Sequence, residues 1–257
     1  MSSTCLAAQM YTVREFTKTP ADIAASIKKV SDLGYEAMQT SAFGDIDPKE
    51  LKKIADDAGM AICATHIGFE QMRDDTQAVI DEHHTWECKY PAIGGMPAEY
   101  REAGGDGYRR FAVEASEVAR KLADAGLTFA YHNHSHELER FGDRTGLDIL
   151  FEDSDPEVFQ MEIDTYWIQH GGADPAAWIR KASGRVDLVH VKDMRMRGRE
   201  QLFAEVGEGN LNWASIVEAS KEAGAKWYIV EQDQCYERDC FDSLGISLKN
   251  LKAMGLQ

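Results

Sequence analysis

Short apolar runs alternate along this chain with longer stretches whose apolar positions recur every three or four residues, and the alternation repeats eight times. The first run, Cys5 to Tyr11, reads as a strand. Thr19 and Pro20 then open a helix, with threonine as N-cap, proline in the first turn and Asp22 three residues after the cap. Ile23, Ile27, Val30 and Leu33 form its buried stripe, and Gly34 stops it. Tyr35 to Gln39 is the second strand. Asp47, Pro48 and Glu50 repeat the start signal, Leu51, Ile54, Ala55 and Ala58 the stripe, and Gly59 the stop. Met60 to Thr65 is the third strand and ends at His66. A less regular helix, Asp74 to Trp86, leads to the fourth strand, Cys88 to Ile93. A glycine-rich loop (Gly94, Gly95, Gly104, Gly105, Gly107) precedes a long helix marked by Phe111, Ala115, Val118, Leu122 and Ala125. Leu127 to Tyr131, Val158 to Ile163, Val186 to Val189 and Trp227 to Val230 are strands five to eight. Helices fall near Thr145 to Asp153, after Asp174 and Pro175, after Asn212, and at Leu244, Leu248 and Leu251.

Alternation with short links means parallel strands joined by helical crossovers. Eight such units in 257 residues match an α/β fold of the (β/α)8 barrel type. A doubly wound open sheet is the alternative, and the count of eight favours closure. No linker or low-complexity segment divides the chain, so residues 1–257 are expected to form a single domain.

Composition narrows the function. The net charge of −16, from 44 acidic against 28 basic residues, argues against a duplex-binding surface. No apolar run reaches the length that spans a bilayer, and the N-terminus lacks a secretory pattern, so a cytoplasmic location is expected. The five cysteines are scattered without a CxxC pair, which reads as free thiols, although Cys235 and Cys240 are close.

The chemistry collects where barrel enzymes keep it, at the C-terminal ends of strands. Strand three ends in His66, five in His132, six in Asp164, seven in His190 and eight in Glu231. Period-two alternation puts Ala130, Leu188 and Ile229 on the same faces as His132, His190 and Glu231. Those small or apolar partners suit a filled interior, so the polar groups are expected to converge at the mouth. Two imidazoles and two carboxylates suit one divalent metal, Mn, Zn, Co or Fe better than Mg. Glu162 shares parity with Asp164 and is read as part of an internal ion-pair or hydrogen-bond network. Lys192 sits above His190, to contact substrate or to pair with an acid. Asp193 points outward and is read as structural.

At these residues the chain resembles the xylose isomerase-like barrels of the sugar isomerase/epimerase superfamily. The resemblance runs through EIDTYW (Glu162–Trp167), HVKD (His190–Asp193), EVGEGNLNW (Glu205–Trp213) and YIVEQD (Tyr228–Asp233). It implies one divalent metal held by His132, Asp164, His190 and Glu231. One departure bears on mechanism. Family epimerases carry a glutamate, in a pattern like ENH, where this chain has HNH (His132–His134). That glutamate normally works with the strand-eight glutamate, and here only Glu231 of the pair is present. His132 is therefore expected as a ligand, with acid–base work as the alternative. A histidine-rich fifth strand also resembles inosose dehydratases and lyases of keto-sugars.

The resemblance implies a metal-dependent sugar or keto-sugar isomerase/epimerase. The alternative is a lyase or dehydratase that expels a β-substituent, and endonuclease IV-like DNA repair is the remote one. Both sugar readings begin with proton abstraction beside a polarised carbonyl. Catalytic candidates are Glu231 and His132. Substrate-contact candidates are His66, His134, Glu137, Trp167, Lys192 and Arg197. His66 is balanced against a hydrogen-bonded rim histidine, Trp167 and Tyr166 against aromatic packing, and Arg195, Arg197 and Arg199 against a solvated loop. His136 is expected to face solvent, and the Gly94–Gly107 loop to serve as a mobile lid. The expected partner is a small sugar or keto-sugar, with no nucleic acid and no membrane, and a homo-oligomer is left open.

Overall fold

The computed structural model describes residues 6–256. Eight parallel strands, β1 (Leu6–Gln9), β2 (Ala37–Thr40), β3 (Ala61–His66), β4 (Tyr90–Ile93), β5 (Phe129–His132), β6 (Phe159–Asp164), β7 (Leu188–Val191) and β8 (Trp227–Val230), close into a barrel. Each strand lies beside its sequence neighbours, and β1 closes the ring on β8 with Leu6 opposite Tyr228 and Ala8 opposite Val230. Closure settles the choice between barrel and open sheet, and leaves no exposed barrel edge to be protected.

The helices start where the sequence signals place them. Thr19 Oγ1 accepts from the Asp22 amide at 3.2 Å, with Pro20 opening α1 (Pro20–Asp32). Asp47 caps α2 (Pro48–Asp57). Ile23, Ile27 and Val30 of α1 are fully buried, each contributing about 2 kcal/mol of apolar burial. The barrel interior is filled by small or branched side chains, among them Ala7, Ala64, Ala130, Leu188 and Ile229. A larger core lies between strands and helices and includes Phe111, Leu122 and Phe159. So the interior is packed below, and the strand-end imidazoles and carboxylates gather at the C-terminal mouth.

Several segments depart from the sequence expectation. The first strand stops at Gln9, and a 3-10 helix follows over Met10–Phe16; Cys5 lies outside the described residues. The helix expected over Asp74 to Trp86 is α4 (Thr76–Trp86), capped by Asp75, and a short helix that was not expected, α3 (Phe69–Asp74), precedes it. The glycine-rich stretch is not a long open lid. It holds α5 (Ala98–Arg101) and the start of α6 (Gly104–Asp124). Gly107 lets these helices touch, since a Cβ there would lie 1.8 Å from the Tyr100 carbonyl oxygen.

A further helix, α8 (Thr165–His170), springs directly from β6. Beyond β7 the chain forms an antiparallel hairpin, Asp193–Arg197 with Glu200–Ala204, where a basic loop was expected. The remaining helices are α7 (Gly146–Asp153), α9 (Pro175–Lys181), α10 (Trp213–Ala223) and α11 (Cys240–Ala253). No helix of the described residues is long and apolar enough to cross a membrane.

Candidate active site

Four strand ends bring His132, Asp164, His190 and Glu231 together, all buried. His132 Nε2 lies 3.2 Å from Asp164 Oδ2, and His190 Nδ1 lies 3.1 Å from Glu231 Oε2. The two remaining cross-distances, His132 to Glu231 and His190 to Asp164, are both 3.9 Å. Ligands about 2.1 Å from a common tetrahedral centre would sit about 3.4 Å apart, so these four atoms already span a first coordination shell. The donor set, two imidazoles and two carboxylates, therefore fits a divalent metal on geometry as well as chemistry.

The surrounding groups orient these ligands. His190 Nε2 donates to Gln39 Oε1 at 2.6 Å, which turns Nδ1 toward Asp164 and Glu231. Gln39 Oε1 also accepts from Gln9 Nε2, and Gln39 Nε2 donates to Glu162 Oε1, both at 2.8 Å. Glu162 Oε2 meets His66 Nε2 at 2.6 Å. Glu162 is thus the centre of an internal network, as the sequence reading favoured. Asp164 is held at both ends: its amide donates to Asn133 Oδ1, and its Oδ1 caps α8 by accepting from the Trp167 amide.

Electrostatics keep Glu231 and Glu162 ionised. Burial alone would raise Glu231, but Lys192, His190 and His132 hold it well below the ordinary carboxylate range. Glu162 is likewise held down, against burial, by His190 and His66. Burial would lower His190, yet Glu162 and Glu231 overrule it and raise it to about 10. Lys192 Nζ stands 2.9 Å from Glu231, 2.7 Å from Asp233 and 3.4 Å from Asp164. It lies 5.3 Å from the Trp167 ring centre. The pairing-with-an-acid alternative for Lys192 is therefore realised, and the same ammonium lines the cavity.

That cavity, about 310 Å³, is lined by His66, His132, His134, Lys192 and Glu231, with Tyr11 and Asp233 among its other walls. His66 owes its place there to a bulge. The β2–β3 ladder passes from Met38 opposite Ile62 to Gln39 opposite Ala64, skipping Cys63. Cys63 and Ala64 both pack against the interior, and the extra residue turns His66 inward.

Other expectations land elsewhere. Glu137 does not reach the cavity. It is fully buried, accepting from the Tyr131 hydroxyl at 2.7 Å and from the His134 amide at 2.9 Å, so it shapes the strand-five loop. Arg197 points away on the hairpin, 60% exposed and paired with Glu200. Trp167 is half-buried, packing on His134 at 5.2 Å between ring centres. His136 is partly covered, stacking on His134. Gln9, Gln39, Asn133 and Asp233 were missed. Gln9 ends β1 and Gln39 is the last residue but one of β2, and a polar side chain near the end of a buried strand was the available signal.

Residues 27–240 match the family model described as xylose isomerase-like TIM barrel. The chain is 22% identical over 245 residues to an inosose dehydratase of Geobacillus kaustophilus (strain HTA426), spanning 81% of this chain and 79% of that protein. A solved sugar phosphate isomerase/epimerase from Parabacteroides distasonis superposes with a TM-score of 0.81 at 22% identity, over 98% of this chain and 95% of that one. A solved L-ribulose 3-epimerase gives a TM-score of 0.71 at 15% identity, covering 98% of this chain and 94% of its own.

Proposed function

The chain belongs to the xylose isomerase-like TIM barrel family, and from that premise we propose that it is a metal-dependent enzyme of sugars or keto-sugars whose reaction begins by proton removal beside a carbonyl. The observation that carries the proposal is the convergence of the ligand atoms of His132, Asp164, His190 and Glu231 within 4.8 Å of one another, with His132 and Glu231 opening onto a cavity of sugar size. A divalent ion held by these four residues would polarise the substrate carbonyl and stabilise the enediolate.

The chain's own groups divide the remaining work. Glu231, ionised, removes the proton. A carboxylate can give one oxygen to a ligand set and keep the other for acid–base work. His132 cannot do both: with Nε2 facing Asp164, its second nitrogen, Nδ1, is buried and lacks a partner. The two-carboxylate exchange of family epimerases is thus reduced to one base. Lys192 neutralises charge beside that base. His66 is our candidate to return a proton or to protonate a departing oxygen: Glu162 holds its Nε2 at 2.6 Å, and its Nδ1, in the long 3.3 Å contact with Gln9 Nε2, is the nitrogen that would turn to substrate.

One base and one acid favour elimination of a β-substituent, in keeping with the relative named inosose dehydratase. Isomerisation, with the proton returned to the adjacent carbon, is the second reading and uses the same groups. The test is NMR in D2O with manganese- or zinc-loaded enzyme and a panel of inososes, ketohexoses and keto-glycosides. Loss of the α-proton with release of water or an aglycone supports elimination. Exchange without release supports isomerisation. Absence of exchange across the panel, with one metal bound per chain in wild type and none in Asp164→Asn, would sink the catalytic assignment while leaving the metal site standing.

A further inference from the structure

The catalytic cavity opens sideways. Ser41, His66 and Ile67 line it and also line a neighbouring cavity of about 380 Å³ that lies over the ends of β2 and β3. The far lobe has two aromatic walls, Phe43 and Trp86, both half-buried. Its polar walls include Gln71, Glu82 and Asp45, whose side chains make no hydrogen bond or ion pair among the described residues. Glu82 is pushed up from the ordinary carboxylate range by burial, with the Asp75 charge adding to the effect.

The loop that forms this lobe is held rather than slack. Ala42 takes a left-handed backbone at φ 55°, unusual for a residue with a Cβ and costing of order 1 kcal/mol. Gly44 lets the loop press against the preceding segment, since a Cβ there would lie 2.0 Å from the Lys18 carbonyl oxygen. Aromatic faces beside unspent acceptors and donors suit a ring that is apolar on its C–H faces and hydroxylated at its edge.

We infer that the site takes a two-ring carbohydrate, with the reacting ring beside His132 and Glu231 and a second sugar ring, joined by a glycosidic bond, between Phe43 and Trp86. This rests on the sugar-directed reading above but concerns substrate size, so the two can fail separately. Gln71 and Glu82 bind the hydroxyls of the second ring, and the aromatic pair binds its faces.

The test is calorimetric titration of the manganese-loaded chain with D-glucose, maltose, cellobiose and phenyl β-D-glucopyranoside. At least one disaccharide should bind about tenfold tighter than glucose. Trp86→Ala should cut that advantage to below about threefold with the glucose affinity unchanged. Trp86 also donates its indole N–H to the Pro48 carbonyl, so Phe43→Ala serves as a second variant that leaves this tie intact. Gln71→Ala should weaken the disaccharide alone. Equal affinity for glucose and both disaccharides, or no binding of any, overturns the inference. Phenyl glucoside matching cellobiose with Gln71→Ala silent assigns the lobe to an aryl group and overturns the second sugar. Deuterium exchange on a free ketohexose without a disaccharide preference removes this inference alone. A disaccharide preference without exchange on any keto-sugar removes the catalytic reading alone.

Discussion

Replacing Asp193 by alanine should be among the most destabilising single changes in the molecule, although the residue touches no substrate. Its carboxylate is fully buried and collects a set of N–H donors from one loop. Gly207 N lies at 2.9 Å, Gly209 N at 3.0 Å, Leu211 N at 3.2 Å and the Trp213 indole nitrogen at 2.6 Å. The Met194 amide donates as well, at 2.8 Å. No lysine or arginine pairs with it among the described residues, so the charge is balanced by N–H dipoles. Stranding one buried donor costs about 1–3 kcal/mol. With four distant donors stranded, partial relaxation and water entry bring the total to about 4 kcal/mol, well above the ~1 kcal/mol typical of point changes. Urea unfolding followed by tryptophan fluorescence measures it directly, with Trp213 as a local reporter. Asp193→Asn, which keeps one acceptor oxygen, should fall in between. Gly209→Ala should give a similar loss, because its Cβ would stand 2.4 Å from Asp193 Oδ1. A loss below about 1 kcal/mol in Asp193→Ala would refute the argument, by showing that the loop holds its shape without the anion.

Three further outcomes are expected. Glu231→Gln should lower turnover by about a hundredfold or more, with a melting midpoint within a few degrees of wild type, because Lys192 keeps Asp233 and Asp164; wild-type turnover would remove Glu231 as the base. Glu137 is raised by burial from 4.5 to about 7, against the hydrogen bonds from Tyr131 and His134. A raised acid favours the protonated fold, so its contribution is intact below pH ~4.5 and is lost as pH climbs to ~7, by about 3 kcal/mol. Glu137→Gln should therefore gain on wild type across that interval, and parallel melting profiles from pH 4 to 8 would contradict the shift. Arg197→Ala should leave turnover and stability unchanged within ~0.5 kcal/mol, since its partner Glu200 is exposed on the same hairpin; a clear rise in KM would return Arg197 to the site.

The barrel and its four convergent groups were legible because both depend on local rules. Helix caps at Thr19 and Asp47 and the parity of Ala130 with His132 need only neighbouring residues. What escaped depends on distant ones. The bulge at Cys63 that turns His66 inward comes from pairing with β2, and nothing in the stretch AICATH announces it. Glu137 looked like a loop carboxylate facing substrate. Its burial follows from the Tyr131 hydroxyl, which a strand pattern marks only as apolar. The arginines after β7 resembled a solvated or anion-binding loop. They alternate on a hairpin whose other strand, Glu200–Ala204, supplies the pairing. The first turn of α6 passed for a flexible lid, because its glycines serve close contacts, Gly107 with α5 and Gly105 with Phe141, and not mobility.

The network beneath the site has a consequence for assembly. Gln9, Gln39, His66, Glu162 and His190 come from β1, β2, β3, β6 and β7, and their side-chain bonds cross the lumen. Backbone ladders alone are nearly indifferent to sliding one strand along its neighbour by a residue pair. Here such a slip strands a buried glutamate or an amide without a partner, at a cost of several kcal/mol. The column therefore acts as a set of detents on the shear of the closing cylinder. A chain that closes with the wrong offset pays for it at Glu162 before any ligand arrives, so the geometry needed for chemistry at the mouth is selected while the wall is still being joined.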